Sequence, residues 1–191
     1  MRRRPPRPSF EPHSTLFLPR RAPRPVAGSC AAAKGLVLVD PARGAFFSLE
    51  TLRRALETAE VGRLGRAFCV VGAALLPAGG GIARLAERMV EIARRLADEN
   101  DDPYLHGMVA LSTGQMRMVE GRWQEMLRLC DEGTRLLTER CQGVTWERDI
   151  GAMASMRALE ELGRIRDLAE RTGRLRREAD ELGDRYAQVT A

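Results

Sequence analysis

Residues 121–126 read Gly-Arg-Trp-Gln-Glu-Met, and related hexapeptides begin 41 residues before and 42 residues after them. The downstream copy, 163–168, is Gly-Arg-Ile-Arg-Asp-Leu, and the upstream copy, 80–85, is the looser Gly-Gly-Ile-Ala-Arg-Leu. Each copy lies between two stretches with helical periodicity. Self-similarity at a period of about 20–50 residues is typical of stacked helical hairpins, because each hairpin buries its apolar face against the next. The repeat therefore predicts an all-α, tetratricopeptide-like helical-hairpin solenoid.

The repeat positions are the turn glycine and two apolar residues of each copy: Gly80, Ile82, Leu85, Gly121, Trp123, Met126, Gly163, Ile165 and Leu168. Ile82 and Ile165 occupy the position of Trp123. Aliphatic side chains there favour a core wedge at Trp123 over a ligand platform, since stacking on a ligand would need a ring in each copy. Trp146, the second tryptophan, also lies at a helix start in the repeat, which favours a structural wedge between adjacent hairpins over a ligand platform there too.

Apolar periodicity predicts about seven helices. Ser48 and Thr145 are candidate N-caps, and Asp102-Pro103 combines an N-cap aspartate with proline at the first helical position. In the third helix the predicted apolar stripe is Leu85, Met89, Ile92 and Leu96. The predicted helices cover about 48–58, 62–77, 82–99, Pro103 to near Gly121, Trp123 past Leu137, Thr145 to about Leu159, and 164–182.

The N-terminal 34 residues differ in composition from the rest of the chain. They contain seven arginines, one lysine and seven prolines against one glutamate, whereas the other 157 residues carry a net charge of about −2. Such composition predicts a disordered basic tail or a wrongly assigned start, dispensable for folding; a nucleic-acid or SH3-type contact is the alternative. Residues 35–47 are expected to form an ordered or strand-like lead-in. The solenoid segment would be 35–191, truncated at its C-terminal end.

The cysteines show neither a metal-binding nor a disulfide pattern. Cys30, Cys69, Cys130 and Cys141 include no Cys-x-x-Cys pair, and the chain has only two histidines. We expect Cys69 and Cys130 to be small buried hydrophobic residues in apolar helices. Without a signal peptide or a run of about 20 apolar residues, the chain is expected in the cytoplasm and outside membranes.

Catalytic patterns are missing from the sequence. Residues 28–34 approach a phosphate-binding loop but lack the second glycine before Lys34 and the hydroxyl residue after it. His106 has no acid or nucleophile placed to work with it. The carboxylates of Glu147, Asp149, Glu160 and Glu161 are close only in sequence and are expected on a solvated face. We therefore predict a chain that is not an enzyme by itself and needs no cofactor.

Two resemblances extend this interpretation. The arrangement of Gly114, Gly121, Trp123 and Met126 is similar to the tetratricopeptide pattern. Residues 35–44, 121–123, 140–147 and 159–163 resemble the helical C-terminal region of large myxobacterial-type serine/threonine protein kinases. In those proteins a kinase domain and an AAA- or STAND-type ATPase module precede such helices. This likeness covers about 35–191. Neither catalytic part is present, so the resemblance implies no catalytic or nucleotide-binding residue here.

The resemblance implies a regulatory or protein-interaction segment whose partner is a protein, a peptide or a neighbouring kinase or ATPase domain. A free-standing tetratricopeptide-type adaptor is one alternative, and adjacent kinase or ATPase genes would argue against it. The helical part of an ATPase-type transcription regulator is another, but no helix-turn-helix is evident and nucleic-acid binding is not expected.

Overall fold

The computed structural model describes residues 24–36, 39–58, 60–75, 79–184 and 188. Those residues form eight α-helices and no strand, so the all-α prediction is confirmed with one helix more than expected. The helices are α1 (Arg24–Leu36), α2 (Pro41–Thr58), α3 (Val61–Leu75), α4 (Gly80–Asn100), α5 (Pro103–Val119), α6 (Trp123–Arg140), α7 (Thr145–Glu161) and α8 (Ile165–Leu182).

The N-terminal predictions need correction. Disorder is wrong for residues 24–34, which belong to α1, and a chain shortened to begin at Gly35 would lose most of that helix. Residues 41–47 are helical rather than strand-like. Ser48 lies inside α2, where its hydroxyl donates to the carbonyl of Gly44 at 2.9 Å instead of capping a helix. The alanines of α1 favour a helix, and proline at the first position favours the start of α2 at Pro41. The Arg/Pro-rich composition upstream led to the prediction of disorder despite these local signals. Residues 1–23 lie outside the described part.

The turns inside two hairpins depend on glycine at positive φ. Gly121 (φ 69°) and Gly163 (φ 66°) follow α5 and α7. After each helix, two backbone N–H groups bond back to carbonyls of its last turn, as Gly121 does to Met118 and Arg122 to Arg117. A residue with a Cβ rarely adopts this left-handed conformation. Gly80 also has a positive φ, 54°, but it begins α4, so the upstream copy has different geometry.

One of the predicted caps is confirmed. Asp102 precedes α5, and its carboxylate accepts hydrogen bonds from the backbone N–H groups of Tyr104 at 2.9 Å and Leu105 at 3.2 Å. With Pro103 at the first helical position, the start of α5 is locally specified. Thr145 is instead the first residue of α7, and the N-cap position before it is Val144.

Successive helices pack against one another in chain order. Pairs α3/α4, α5/α6 and α7/α8 form hairpins, α4 and α6 contact the first helix of the next hairpin, and α3/α5 and α5/α7 also touch. Helix α1 packs against α2, and α2 against α3. This neighbour-to-neighbour arrangement is compatible with the predicted hairpin solenoid, in which each hairpin mainly contacts its neighbours.

Glycines inside the helices bring the backbones close together. A Cβ on Gly107 would lie 2.7 Å from Leu137, and a Cβ on Gly133 would lie 2.8 Å from the carbonyl oxygen of Gly107. In α3, a Cβ on Gly65 would meet Leu105 at 2.8 Å. The glycine pair 65/72 in α3 recurs after 42 residues as 107/114 in α5, so the repeat also extends into the helix interiors. These glycines let the α3/α5 and α5/α6 backbones approach closely.

The buried stripe of α4 is not the predicted one. Leu85 and Ile92 are exposed, and Met89 and Leu96 are only partly buried. The residues fully packed in the core are the smaller set Ala86, Val90, Ala93 and Ala97. At Gly72 the backbone of α3 comes so near that a Cβ there would lie 3.1 Å from the carbonyl oxygen of Ala86. Small residues fit this close crossing, and the large ones are displaced to the flanks.

An ion pair between non-adjacent helices joins α6 to α8. The guanidinium of Arg171 donates two hydrogen bonds to the carboxylate of Asp131, at 2.5 and 2.7 Å. Ser155 of α7 donates to the same carboxylate at 2.8 Å. Burial works against ionisation, but the guanidinium and the hydroxyl outweigh it and lower the pKa of Asp131. This bidentate pair gives α8 a polar anchor to the preceding hairpin.

Candidate functional site

The most deeply buried carboxylate described lies at the start of α7. The Glu147 side chain is only 4% exposed, although it belongs to the first turn of its helix. That position places it near the backbone N–H groups at the helix N-terminus, whose partial positive charge favours a carboxylate. Tyr104 of α5 donates its hydroxyl to Glu147 Oε1 at 2.9 Å. Glu147 is thus held between the first helices of two successive hairpins.

The cation opposite Glu147 comes from α1. Lys34 Nζ donates to Glu147 Oε1 at 2.7 Å, across 113 residues of sequence. The same ammonium lies 4.6 Å from the centroid of the Trp146 ring, within cation–π range. We give the name Glu147 pocket to Glu147, Trp146, which contacts the same ammonium, and Tyr104, which is hydrogen-bonded to Glu147. Burial opposes ionisation of Glu147, but the charge of Lys34 and the two hydrogen bonds lower its pKa.

An arginine extends the site onto α3. The guanidinium carbon of Arg66 lies 4.1 Å from the centroid of the Tyr104 ring. Stacking on Arg66 and the bond to Glu147 together orient the Tyr104 ring. The pocket is therefore assembled from the first helices of three successive hairpins and closed by α1.

The predicted solvated face of carboxylates is wrong for two of its four members. Glu160 and Glu161 are exposed, as expected, but Glu147 and Asp149 are buried. Burial raises the pKa of Asp149 to about 6, and the neighbouring carboxylate of Asp184 contributes to the same rise. Asp184 follows α8, so the two acids approach each other where α7 begins and α8 ends.

Asp149 should make stability depend on pH. Its folded pKa of about 6 lies above the ordinary value of 3.8, so the folded chain binds this proton more tightly than the unfolded chain. We expect the contribution of Asp149 to the free energy of unfolding to fall as pH rises from about 4 to about 6. Over this interval the stability of Asp149→Asn should therefore change in a more positive direction than that of the original chain. Urea unfolding of both proteins at several pH values measures it.

The matched control for Asp149 is Glu160→Gln, which changes an exposed carboxylate on the same helix. That variant should keep the pH dependence of the original chain. Equal slopes in the original chain and Asp149→Asn between pH 4 and 6 would contradict the prediction, because they would show that the folded and unfolded chains hold the Asp149 proton equally.

A second concave surface lies over α5, between α4 and α6. It encloses about 440 Å³ and is lined by Arg94 and Asp98 of α4, Val109 and Thr113 of α5, and Leu136 and Arg140 of α6, among others. His106 also lines it, with Nδ1 3.8 Å from Asp98 Oδ1. We call this surface the α5 groove. It combines apolar residues with charges of both signs, which suits a peptide better than a small apolar ligand.

The nine repeat positions have different environments. Met126 is buried, and Leu168 and Trp123 are partly buried against the main core. Ile82, Leu85 and Ile165 are 47%, 47% and 61% exposed. The aliphatic residues equivalent to Trp123 therefore fill no core volume, and that argument for a core wedge is wrong. Trp123 is partly buried, whereas the residues at the equivalent repeat positions are exposed. Gly121 and Gly163 act at the turns.

The described cysteines do not form a reactive or metal-binding site. Cys69, Cys130 and Cys141 are free thiols. Burial raises the pKa of Cys69 and of Cys130 to about 12, which confirms both as buried hydrophobic residues. Within the described ranges, no group of three or more histidine, cysteine or acidic side chains could hold a metal ion. In that part of the chain, no helix has both the length and the apolar character for a membrane span.

Sequence reasoning missed the Glu147 pocket because its parts are far apart in the chain. One signal was present: Lys34 is the single lysine among 31 basic residues. A second was the spacing of 42 residues between Tyr104 and Trp146, which places aromatic rings at equivalent positions of α5 and α7.

Comparisons with protein-family models, curated proteins and solved structures give no significant match to this chain.

Proposed function

We propose that this chain is a non-catalytic protein-interaction module, built from helical hairpins, that binds a segment of a partner protein. The observation that carries the proposal is the α5 groove, an open surface of about 440 Å³ with charges of both signs on its rims. A peptide can place apolar side chains on the partly exposed Leu129 and Leu136 and charged ones near Arg94 or Asp98. Helical-hairpin arrays commonly bind partners through such concave surfaces.

The proposed context is the regulatory part of a bacterial serine/threonine kinase with an ATPase module. Support comes from the resemblance of residues 35–191 to the helical C-terminal region of those kinases, and the partner would then be a neighbouring domain or a signalling protein. The free thiols of Cys69, Cys130 and Cys141 agree with a reducing compartment such as the cytoplasm. A free-standing adaptor would use the same groove.

Site-specific photo-cross-linking in the cells that encode the chain tests the proposal. A photoreactive amino acid at Thr113, which lines the groove, should give one discrete protein adduct. The matched control places it at Glu57, an exposed position on α2, where we expect no such adduct. Leu136→Glu, which adds a charge to the groove wall, should remove the Thr113 adduct. No adduct at Thr113, or equal adducts at both positions, would contradict the proposal.

A further inference from the structure

The Glu147 pocket contains more than a structural ion pair requires. A buried carboxylate needs a partner to offset the loss of hydration, and an arginine would supply one with two hydrogen bonds. The chain uses arginine for every other basic residue, yet places its single lysine here. The ammonium of Lys34 and the hydroxyl of Tyr104 both donate to Glu147 Oε1, so the present contact between Glu147 and its cation is made through one carboxylate oxygen.

The aromatic ring reinforces the same preference. Trp146 faces the ammonium at 4.6 Å, and indole is the most favourable side chain for cation–π attraction. Tyr104 completes the Glu147 pocket and is positioned by Arg66 on its ring. A carboxylate and an indole that both contact one compact cation, with a phenol hydrogen-bonded to the same carboxylate, have the chemistry to bind a primary ammonium.

The present occupant comes from outside the hairpin helices. Helix α1 packs mainly against α2, and Lys34 extends from its last turns to reach α7. The lysine side chain remains 27% exposed, whereas that of Glu147 is 4% exposed. The pocket is therefore formed by the hairpin helices, while the ammonium enters from a separate element with a water-accessible side.

We propose that the Glu147 pocket is a lysine-binding subsite, which Lys34 fills in the free chain and a lysine of a partner segment fills in the complex. This inference rests on the proposed interaction function and names the chemistry of one contact. Helix α1 then acts as an internal competitor, so partner binding requires displacement of Lys34. Outside residues 1–34 the chain is slightly acidic, which favours a basic partner segment.

The test uses the full chain with Trp123→Phe, so that Trp146 is the only tryptophan and reports on its own pocket. The probe is a short arginine-containing peptide with one central lysine. Its matched controls carry acetyl-lysine or arginine at that position. Lys34→Met removes the competing ammonium, and we expect the lysine peptide to bind this double variant roughly tenfold more tightly than the parent chain, which carries Trp123→Phe alone. Glu147→Gln added to Lys34→Met should abolish this gain.

Several outcomes would overturn the lysine subsite. One is equal affinity for the lysine and acetyl-lysine peptides in the Lys34→Met chain. Another is equal affinity of the parent chain and Lys34→Met for the lysine peptide, and a third is no effect of Glu147→Gln. If Lys34→Met does not fold cooperatively, hydrogen exchange on the parent chain decides the question. The lysine peptide should then accelerate exchange of α1 amides, and unchanged exchange would reject displacement.

The two proposals fail differently. If the Thr113 cross-link forms and survives Glu147→Gln, while the lysine peptide does not bind, the interaction function stands and the lysine subsite is wrong. If the lysine peptide binds as expected but Thr113 captures no partner, the pocket stands and the α5 groove is not the docking surface.

Discussion

Gly133→Ala should lower the stability of this protein, although alanine is the better helix former. A Cβ at residue 133 would lie 2.8 Å from the carbonyl oxygen of Gly107 and 3.0 Å from Leu111 Cγ. The nearest atom belongs to the backbone of α5, so α5 and α6 would have to move apart. Overpacking of this kind costs about 1–3 kcal/mol. Urea unfolding followed by circular dichroism gives the free energy of unfolding directly.

The matched control is Gly173→Ala in α8. A Cβ there would meet only Arg177 Nη1, at 3.6 Å, and the residue lies inside a regular helix. Since alanine is favoured over glycine in a helix by roughly 0.5–1 kcal/mol, this variant should be more stable than the original chain. A loss of stability for Gly133→Ala together with a gain for Gly173→Ala would show that the close approach of α5 and α6 causes the loss. Stabilisation in both variants would mean that α5 and α6 lie farther apart than these distances place them.

Leu105→Ala should destabilise the protein more than Gly133→Ala. Leu105 is fully buried in α5 and fills the space above Gly65, where α3 has no side chain. The truncation leaves a cavity that Gly65, which has no side chain, cannot fill. Such changes lower the free energy of unfolding by about 2–5 kcal/mol. For a chain of this size, thermal unfolding should shift downward by roughly 2–4 °C per kcal/mol.

Leu85→Ala in α4 is the control. Helical periodicity assigns Leu85 to an apolar stripe, but the side chain is 47% exposed, so we expect a change within about 0.5 kcal/mol. A large loss of stability for Leu85→Ala, comparable to that for Leu105→Ala, would show that the periodic leucine stripe is the buried face of α4. The alanine stripe would then be wrong.

These two comparisons mark where helical periodicity stops being informative. Periodicity places α4 correctly to within two residues, because apolar residues recur with the helical period on either stripe. It does not decide between the leucine stripe and the neighbouring alanine stripe, which differ by a rotation of one residue. That decision depends on the distance between α3 and α4, and Gly72 makes that distance short.

Local chemistry determined most of the helices and several of their ends from the sequence by itself. Gly121 and Gly163 specify turns because only glycine readily takes positive φ, and Asp102 with Pro103 specifies the start of α5. Tertiary structure decided the rest. It joined α1 to the fold, turned small residues of α4 inward, and placed Lys34 against Glu147 across 113 residues. Contacts at that separation depend on how the hairpins stack, and no local pattern of residues records that geometry.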